Sequence, residues 1–356
     1  MSGARPRPAV RGRWRRAGRL FGAALLAPLA LGAAAAFADD EARHWLDGMN
    51  DALAGRNYQG EFLHLHLPDG RVERLRIMHR VKDGRVSERL VSLTGNGREL
   101  VSNDGEVQCY LPDQRQVLVE TRGDRGPLLG TLPRFGADVE SNYRVEMVGR
   151  VASVLGRPAR VVAVNARDAY RYGYRVWIDE EWHMPVRTDL CDAQGAVLET
   201  VLFTSLSVGG ALSDADLRPG VQAKGYSWIR QGSSGSRAAE DMPWRLLQLP
   251  PGFRLSSSGE RRMPGSEHPA MHLVLSDGLA TVSVFIEQRE PRAAASPDGE
   301  GQGRVGPASA FSRVVGGLKI TAVGEVPPQT VKFIAGGVTQ APVAVRLPAV
   351  GRSPPP

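Results

Sequence analysis

The chain has 356 residues, enough for two domains of ordinary size, each with its own core. Its 45 basic and 38 acidic side chains give a formal charge of +7, but seven arginines (positions 5, 7, 11, 13, 15, 16 and 19) and no acid lie in the first 38 residues. Without that segment the balance is 38 against 38, which removes net positive charge as an argument for nucleic-acid binding.

Residues 1–38 read as a signal peptide. An arginine-rich start precedes an apolar run from Leu20 to Phe37, and the small-residue motif Ala36-Phe37-Ala38 stands before Asp39-Asp40. Residues 41–54 then have helical spacing, with Trp45, Met49 and Leu53 four apart, Asp39 or Asp40 as the cap and Gly55 as the stop. From Gly60 the period changes to two. Leu63, Leu65 and Leu67 alternate with Phe62, His64 and His66, and Leu75, Ile77 and His79 follow after the turn Pro68-Asp69-Gly70. Closely spaced turns at Lys82-Asp83-Gly84, Asn96-Gly97, Asn103-Asp104-Gly105 and Pro112-Asp113-Gln114 predict an antiparallel meander with no room for crossover helices.

Residues 121–141 read as a loop or short helical turn, and strand-like runs resume from 143 to 207. The expected first domain, 39–207, is a curved antiparallel sheet with a helix against one face. One helix covers only part of a wide dry face, so the remainder is a core, a cavity or a partner site. The glycine-containing stretch 208–222 reads as a linker. A smaller, mainly β domain is expected at 223–340, with a hairpin around Ser276-Asp277-Gly278 and a short helix after Pro327-Pro328. Residues 291–308 read as a long mobile loop, and 341–356 as a disordered tail ending in three prolines.

The sequence lacks HExxH, GxSxG and a phosphate-binding P-loop, and its one GxGxxG (Gly301, Gly303, Gly306) has no strand–turn–helix context. His64, His66 and His79 can hold zinc only if an unseen register joins them, so no metal, cofactor or catalytic residue is assigned. Cys109 and Cys191 form no CxxC. Export permits a disulfide between them, closing a loop of about 80 residues, and two free thiols are the other reading.

Several ordered blocks carry a resemblance. They are Leu53–Phe62 (LAGRNYQGEF), Tyr174–Asp179 (YRVWID) and Met184–Leu190 in the first domain. In the second they are Trp244 with Leu249-Pro250-Pro251-Gly252-Phe253, then Ser276-Asp277-Gly278-Leu279 and Val323–Thr330. Together they resemble the MucB/RseB family of periplasmic regulators of the envelope-stress sigma factor, from about Trp45 to Gly337. The resemblance implies a mainly β fold with some α. Its first domain would be a half-barrel wrapped around helices, similar to the lipoprotein carriers LolA and LolB, and its second a smaller, mainly β domain.

The resemblance further implies a non-catalytic protein that binds the periplasmic domain of a membrane-spanning anti-sigma factor. It would shield that protein from regulatory proteolysis until lipopolysaccharide or lipoprotein acyl chains release it. Trp45, Met49, Leu63, Leu65, Leu75 and Ile77 are candidates for a lipid cavity, with core packing as the competing role. Trp244, Phe253 and Arg289 are candidates for partner binding. Homo-oligomerisation stays open, and a periplasmic lipoprotein or lipid carrier is the alternative function.

Overall fold

The computed structural model describes residues 29–95, 97–103, 105–121, 128–129, 137–230, 244–261, 268–288 and 300–340. Among them no helix is long and apolar enough to cross a membrane. Most of the expected signal segment, Asn96, Asp104, most of 121–136, Arg289, residues 291–299 and the proline tail lie outside the described residues.

Helix α1 (Leu29–Gly55) runs through Asp39 and Asp40, so this pair does not cap it. Its buried stripe is Ala42, Leu46, Met49 and Leu53, spaced four, three and four, which is one face of an α-helix. Each fully buried leucine there contributes roughly 2 kcal/mol by the area removed from water. Twelve strands form the sheet under it. They are β1 (Tyr58–His66), β2 (Arg71–Lys82), β3 (Arg85–Ser92), β4 (Glu99–Asn103), β5 (Glu106–Leu111) and β6 (Gln116–Thr121), then, after the one-turn helix α2 (Ala137–Glu140), β7 (Tyr143–Val154), β8 (Arg157–Ala166), β9 (Gly173–Asp179), β10 (Pro185–Cys191), β11 (Val197–Val208) and β12 (Ser227–Arg230). The spatial order is β12-β6-β5-β4-β3-β2-β1-β11-β10-β9-β8-β7. All neighbours are antiparallel except β12 and β6. The β2–β3 hairpin turns on Asp83 and Gly84, whose φ of 53° and 74° suit the mirror-image turn that matches strand twist.

The expected half-barrel is not formed. β12 and β7 stand at opposite edges of an open sheet, and the sheet neither closes nor curls strongly around helices. Closure requires the two edge strands to pair, and among the described residues of this half the helical segments are α1, the single turn of α2 and a 3₁₀ turn at Pro112–Gln114. The face that carries α1 also meets the C-terminal half, where Leu279 packs against its core and Leu279 and Glu325 line a cavity with Met49 and Leu53. The architecture is mixed α and β, with a large, mostly antiparallel sheet.

Residues 208–222, expected as a linker, lie along the back of the sheet. Leu212 and Leu217 bury against Met78 and Val91, and Val221, Ala223 and Tyr226 pack on Val101, Tyr110, Val117 and Val119. The Gly220 N–H donates to Glu99 (2.8 Å), and the chain continues into β12 on the sheet edge.

The C-terminal half has β13 (Trp244–Leu246), β14 (Arg254–Arg261), β15 (Ala270–Ser276), β16 (Thr281–Gln288), β17 (Gly301–Val305), β18 (Ala308–Val315), β19 (Leu318–Gly324), helix α3 (Pro328–Gly337) and β20 (Val338–Gln340). β14-β15-β16-β19-β18-β17 form one sheet, and β13 pairs with β20. Period-two burial of Leu273 and Leu275, and of Val282, Val284 and Ile286, meets Val331, Ile334 and Ala335 of α3 in one core. Part of the expected loop 291–308 is strand: Gly301–Val305 pairs with β18 around Gly306. Glycine composition reads as loop, whereas the pairing is dictated by the strand beside it.

Candidate functional site

Antiparallel register sets the site. β1 pairs with β11 so that His64 lies opposite Val201 and His66 opposite Glu199. Alternation then puts Tyr58, Phe62, His64 and His66 on the face that carries α1. Thr188 and Leu190 of β10 and Tyr174 and Val176 of β9 extend that face by their own register. A cavity of about 330 Å³ opens here. Its apolar walls are Met49, Leu53, Leu129, Val176, Leu190, Val201 and Phe203, and the C-terminal half contributes Leu279 and Glu325.

One end of the cavity is polar. His64 Nε2 is in direct contact with Glu199 Oε1, and His66 Nδ1 lies 3.6 Å from the same oxygen. Burial pushes the Glu199 carboxyl up to about 7, with repulsion from Glu325 adding to it. Burial pulls His64 down to about 4, helped by the neighbouring His66. Glu325 keeps exposed surface, yet the protein packed around its carboxyl holds it above the usual carboxylate range.

Beside the cavity the two halves meet on a buried cation. Arg171, between β8 and β9, is fully buried. Its Nη1 donates to Asp277 Oδ2 (2.7 Å), its Nε to Asp168 Oδ1 (3.0 Å), and its Nη2 to the carbonyl of Pro251. The Tyr143 hydroxyl donates to the same Asp277 oxygen (2.9 Å), and burial, then the Asp277 charge, raises its pKa. The N–H groups of Leu279 and Ala280 satisfy Asp277 Oδ1. The guanidinium also faces the Tyr143 and Phe253 rings at 5.4 and 5.3 Å. Further along, Thr330 donates to the carbonyl of Tyr170 (2.8 Å) and Gln329 to that of Ala169 (2.5 Å). Gly252 has φ of +81°, and a side chain there would collide with Asn142.

The structure disperses the sequence candidates. Met49 lines the cavity. Leu75 and Ile77 are buried in the surrounding core, and Trp45, half-buried at its edge, stacks on His183 at 4.8 Å. Leu63 and Leu65 are half-buried on the opposite face of β1. Phe253 is buried against Arg171, Trp244 is half-buried opposite Gln340, and Arg289 lies outside the described residues. Cys109 and Cys191 are free thiols on β5 and β10. Those strands are six spacings apart in the sheet, about 29 Å, far beyond disulfide reach. His79 does not join His64 and His66. It stacks on Tyr58 at 4.6 Å, at the other end of β1, with Nδ1 2.9 Å from the Arg56 carbonyl oxygen.

Sequence reasoning missed Tyr143, Arg171, Glu199 and Glu325 altogether and took Asp277 for a turn residue only. No local spacing marks them, because each acts on residues distant in the chain. A signal did exist at the level of blocks. Pro251-Gly252-Phe253, Asp277-Gly278-Leu279 and Glu325 through Thr330 belong to the segments that carry the resemblance, and all three meet the first domain at this seam.

Comparison with known proteins agrees across both halves. The MucB/RseB N-terminal domain pattern matches residues 41–221, and the MucB/RseB C-terminal domain pattern matches residues 238–339. The chain belongs to the MucB/RseB family. It is 33% identical over 301 residues to the sigma factor AlgU regulatory protein MucB of Pseudomonas aeruginosa, covering 83% of this chain and 90% of that protein. It is 31% identical over 330 residues to the sigma-E factor regulatory protein RseB of Salmonella typhimurium, covering 89% and 96%. Among solved structures it is similar to the Pseudomonas aeruginosa MucA/MucB complex, with a TM-score of 0.67 at 31% identity over 84% of this chain and 99% of the matched chain. A second structure of MucB, in complex with the periplasmic part of MucA, gives a TM-score of 0.65 at 31% identity, over 84% and 98%.

Proposed function

We propose that this chain is a periplasmic regulator that binds the periplasmic segment of a membrane-spanning anti-sigma factor and shields it from regulatory proteolysis. The observation that carries this reading is the match of both halves, in order, to a MucB chain crystallised with MucA. The chain acts by binding and has no catalytic step of its own. Residues 1–38 serve as the export signal, with cleavage after Ala38. Trp244, half-buried on β13, and Arg289 are the candidates for direct contact with the partner. Phe253 acts through the seam, because its ring is buried against Arg171.

The release signal in this reading is an acyl chain of lipopolysaccharide or lipoprotein in the cavity. Met49, Leu53, Val176, Leu190, Val201 and Phe203 supply the apolar wall, and each buried CH₂ contributes about 0.8 kcal/mol. Leu279 and Glu325 belong to the other domain, so an occupant touches both. An occupant that favours one arrangement of the seam changes partner affinity by linkage. The strap 208–226 is fastened to the sheet, so the responsive element is the seam itself. A free-standing carrier needs no such second domain, which makes the carrier reading the weaker one.

Calorimetry with the periplasmic segment of a MucA-type anti-sigma factor tests the first claim, with protection of that segment from its protease as the second readout. Repeating the titration at saturating lipid tests the signal. Loss of affinity supports it, and an unchanged affinity sinks it.

A further inference from the structure

We propose that His64, His66 and Glu199 form a binding site for a first-row divalent metal ion, with zinc as the reference case. A His-x-His pair on a strand presents two imidazoles to one face, and here the two rings stand 4.2 Å apart. The β1–β11 register supplies the third group by placing Glu199 opposite His66. One donor atom from each of the three side chains lies within 4.8 Å of the others. Tetrahedral zinc, with bonds of about 2.0–2.2 Å, holds its donors about 3.4 Å apart, so modest side-chain motion closes the site. His66 Nδ1 and Glu199 Oε1 are already at 3.6 Å.

Two further observations point to a ligand. His66 Nδ1 is buried and has no hydrogen-bond partner, a cost that a metal ion bound at that lone pair removes. The site is also held from outside. Gly306 of the β17–β18 turn lies against the His66 ring, where a Cβ would come within 2.9 Å of Nδ1. Charge at the site is mixed, because Glu325 brings a second carboxylate to the same cavity while the Arg71 guanidinium lies near Gly306 and the His66 ring. Imidazole and carboxylate donors suit zinc and its neighbours in the first row, whereas calcium and magnesium select all-oxygen sets. Three protein donors leave a coordination position on the cavity side.

The test is titration of the untagged exported chain with zinc chloride by calorimetry, together with zinc-edge X-ray absorption. The expected result is one ion per chain, nitrogen and oxygen donors only, and a rise in thermal midpoint on loading. His66→Ala and Glu199→Gln each weaken binding at least about tenfold, the scale seen even for outer-shell losses. His268→Ala, on β15's approach, leaves it unchanged. Circular dichroism of the metal-free variants establishes that they fold. Absence of saturable binding, sulfur donors in the absorption spectrum, or unchanged affinity in both His66→Ala and Glu199→Gln would overturn the site.

Discussion

Arg171 and Asp277, 106 residues apart in the chain, meet at 2.7 Å with both side chains wholly buried, and their contact joins the two domains. Burying two charges is costly, and only full satisfaction by partners offsets it. Here Asp277 receives Tyr143, Leu279 and Ala280 besides the arginine. Arg171→Leu strands a buried carboxylate, so we expect a loss of about 3–5 kcal/mol in urea unfolding. The double variant Arg171→Leu/Asp277→Leu is expected to lose less than the sum of the two singles, because the pair couples. Additive losses would mean that the contact does not bind the domains together.

The cavity gives a second expectation. Val201 faces it from β11, and Val201→Trp fills part of the space an acyl chain requires. Excluding two methylenes at about 0.8 kcal/mol each weakens fatty-acid binding by about tenfold. Displacement of a fluorescent fatty acid measures it, and affinity for the anti-sigma segment without lipid should be unchanged. Equal lipid affinity in the variant would place the acyl site elsewhere.

Much of the fold is legible in the sequence because it is periodic. The stripe of α1, the two-residue alternation of β2, and the turn at Asp83-Gly84 are local signals, and so are the prolines that open α3. The face of β1 is not legible. Leu63 and Leu65 are the interior candidates by sequence, yet the structure buries Tyr58 and Phe62 of the other face and leaves both leucines half-buried. Tyr58 and Phe62 each offer a large apolar surface to the stripe of α1, and they join its core cluster. That face carries His64 into the cavity wall and sets His66 beside it against Glu199. Arg171 and Glu199 are illegible for another reason. Their partners come from pairing and docking between segments far apart in the chain, which no window of sequence contains. The stretch 208–222 misleads in the same way, since its glycines and polar residues read as a linker but it finds an apolar surface to lie on.

Cys109 and Cys191 should remain thiols in the exported protein. Each is shielded: burial raises both thiol pKa values, which lowers the reactive thiolate fraction. With six strand spacings between them, no local motion joins them. Alkylation of denatured, unreduced protein followed by mass spectrometry is expected to find two labelled cysteines. A mass two hydrogens lighter with no label would show a disulfide and an altered sheet order.

Acid sensitivity should centre on Asp179, at the end of β9. Burial alone would raise its carboxyl, but the Arg157 Nε donor at 2.7 Å and the backbone N–H groups of Trp182 and Glu181 at 2.7 and 3.0 Å outweigh it, and the net shift is downward. A depressed folded pKa means that the unfolded chain takes up the proton first. The stabilisation is therefore complete above the unfolded value of about 3.9 and disappears as pH falls through the lower folded value. Asp179→Asn should lower the urea midpoint at pH 7 and flatten its decline between neutral and acid pH. At pH values below the folded pKa the variant and the parent should converge. A variant that stays parallel to the parent across the whole range would show that Asp179 is not the group whose protonation loosens this edge of the sheet.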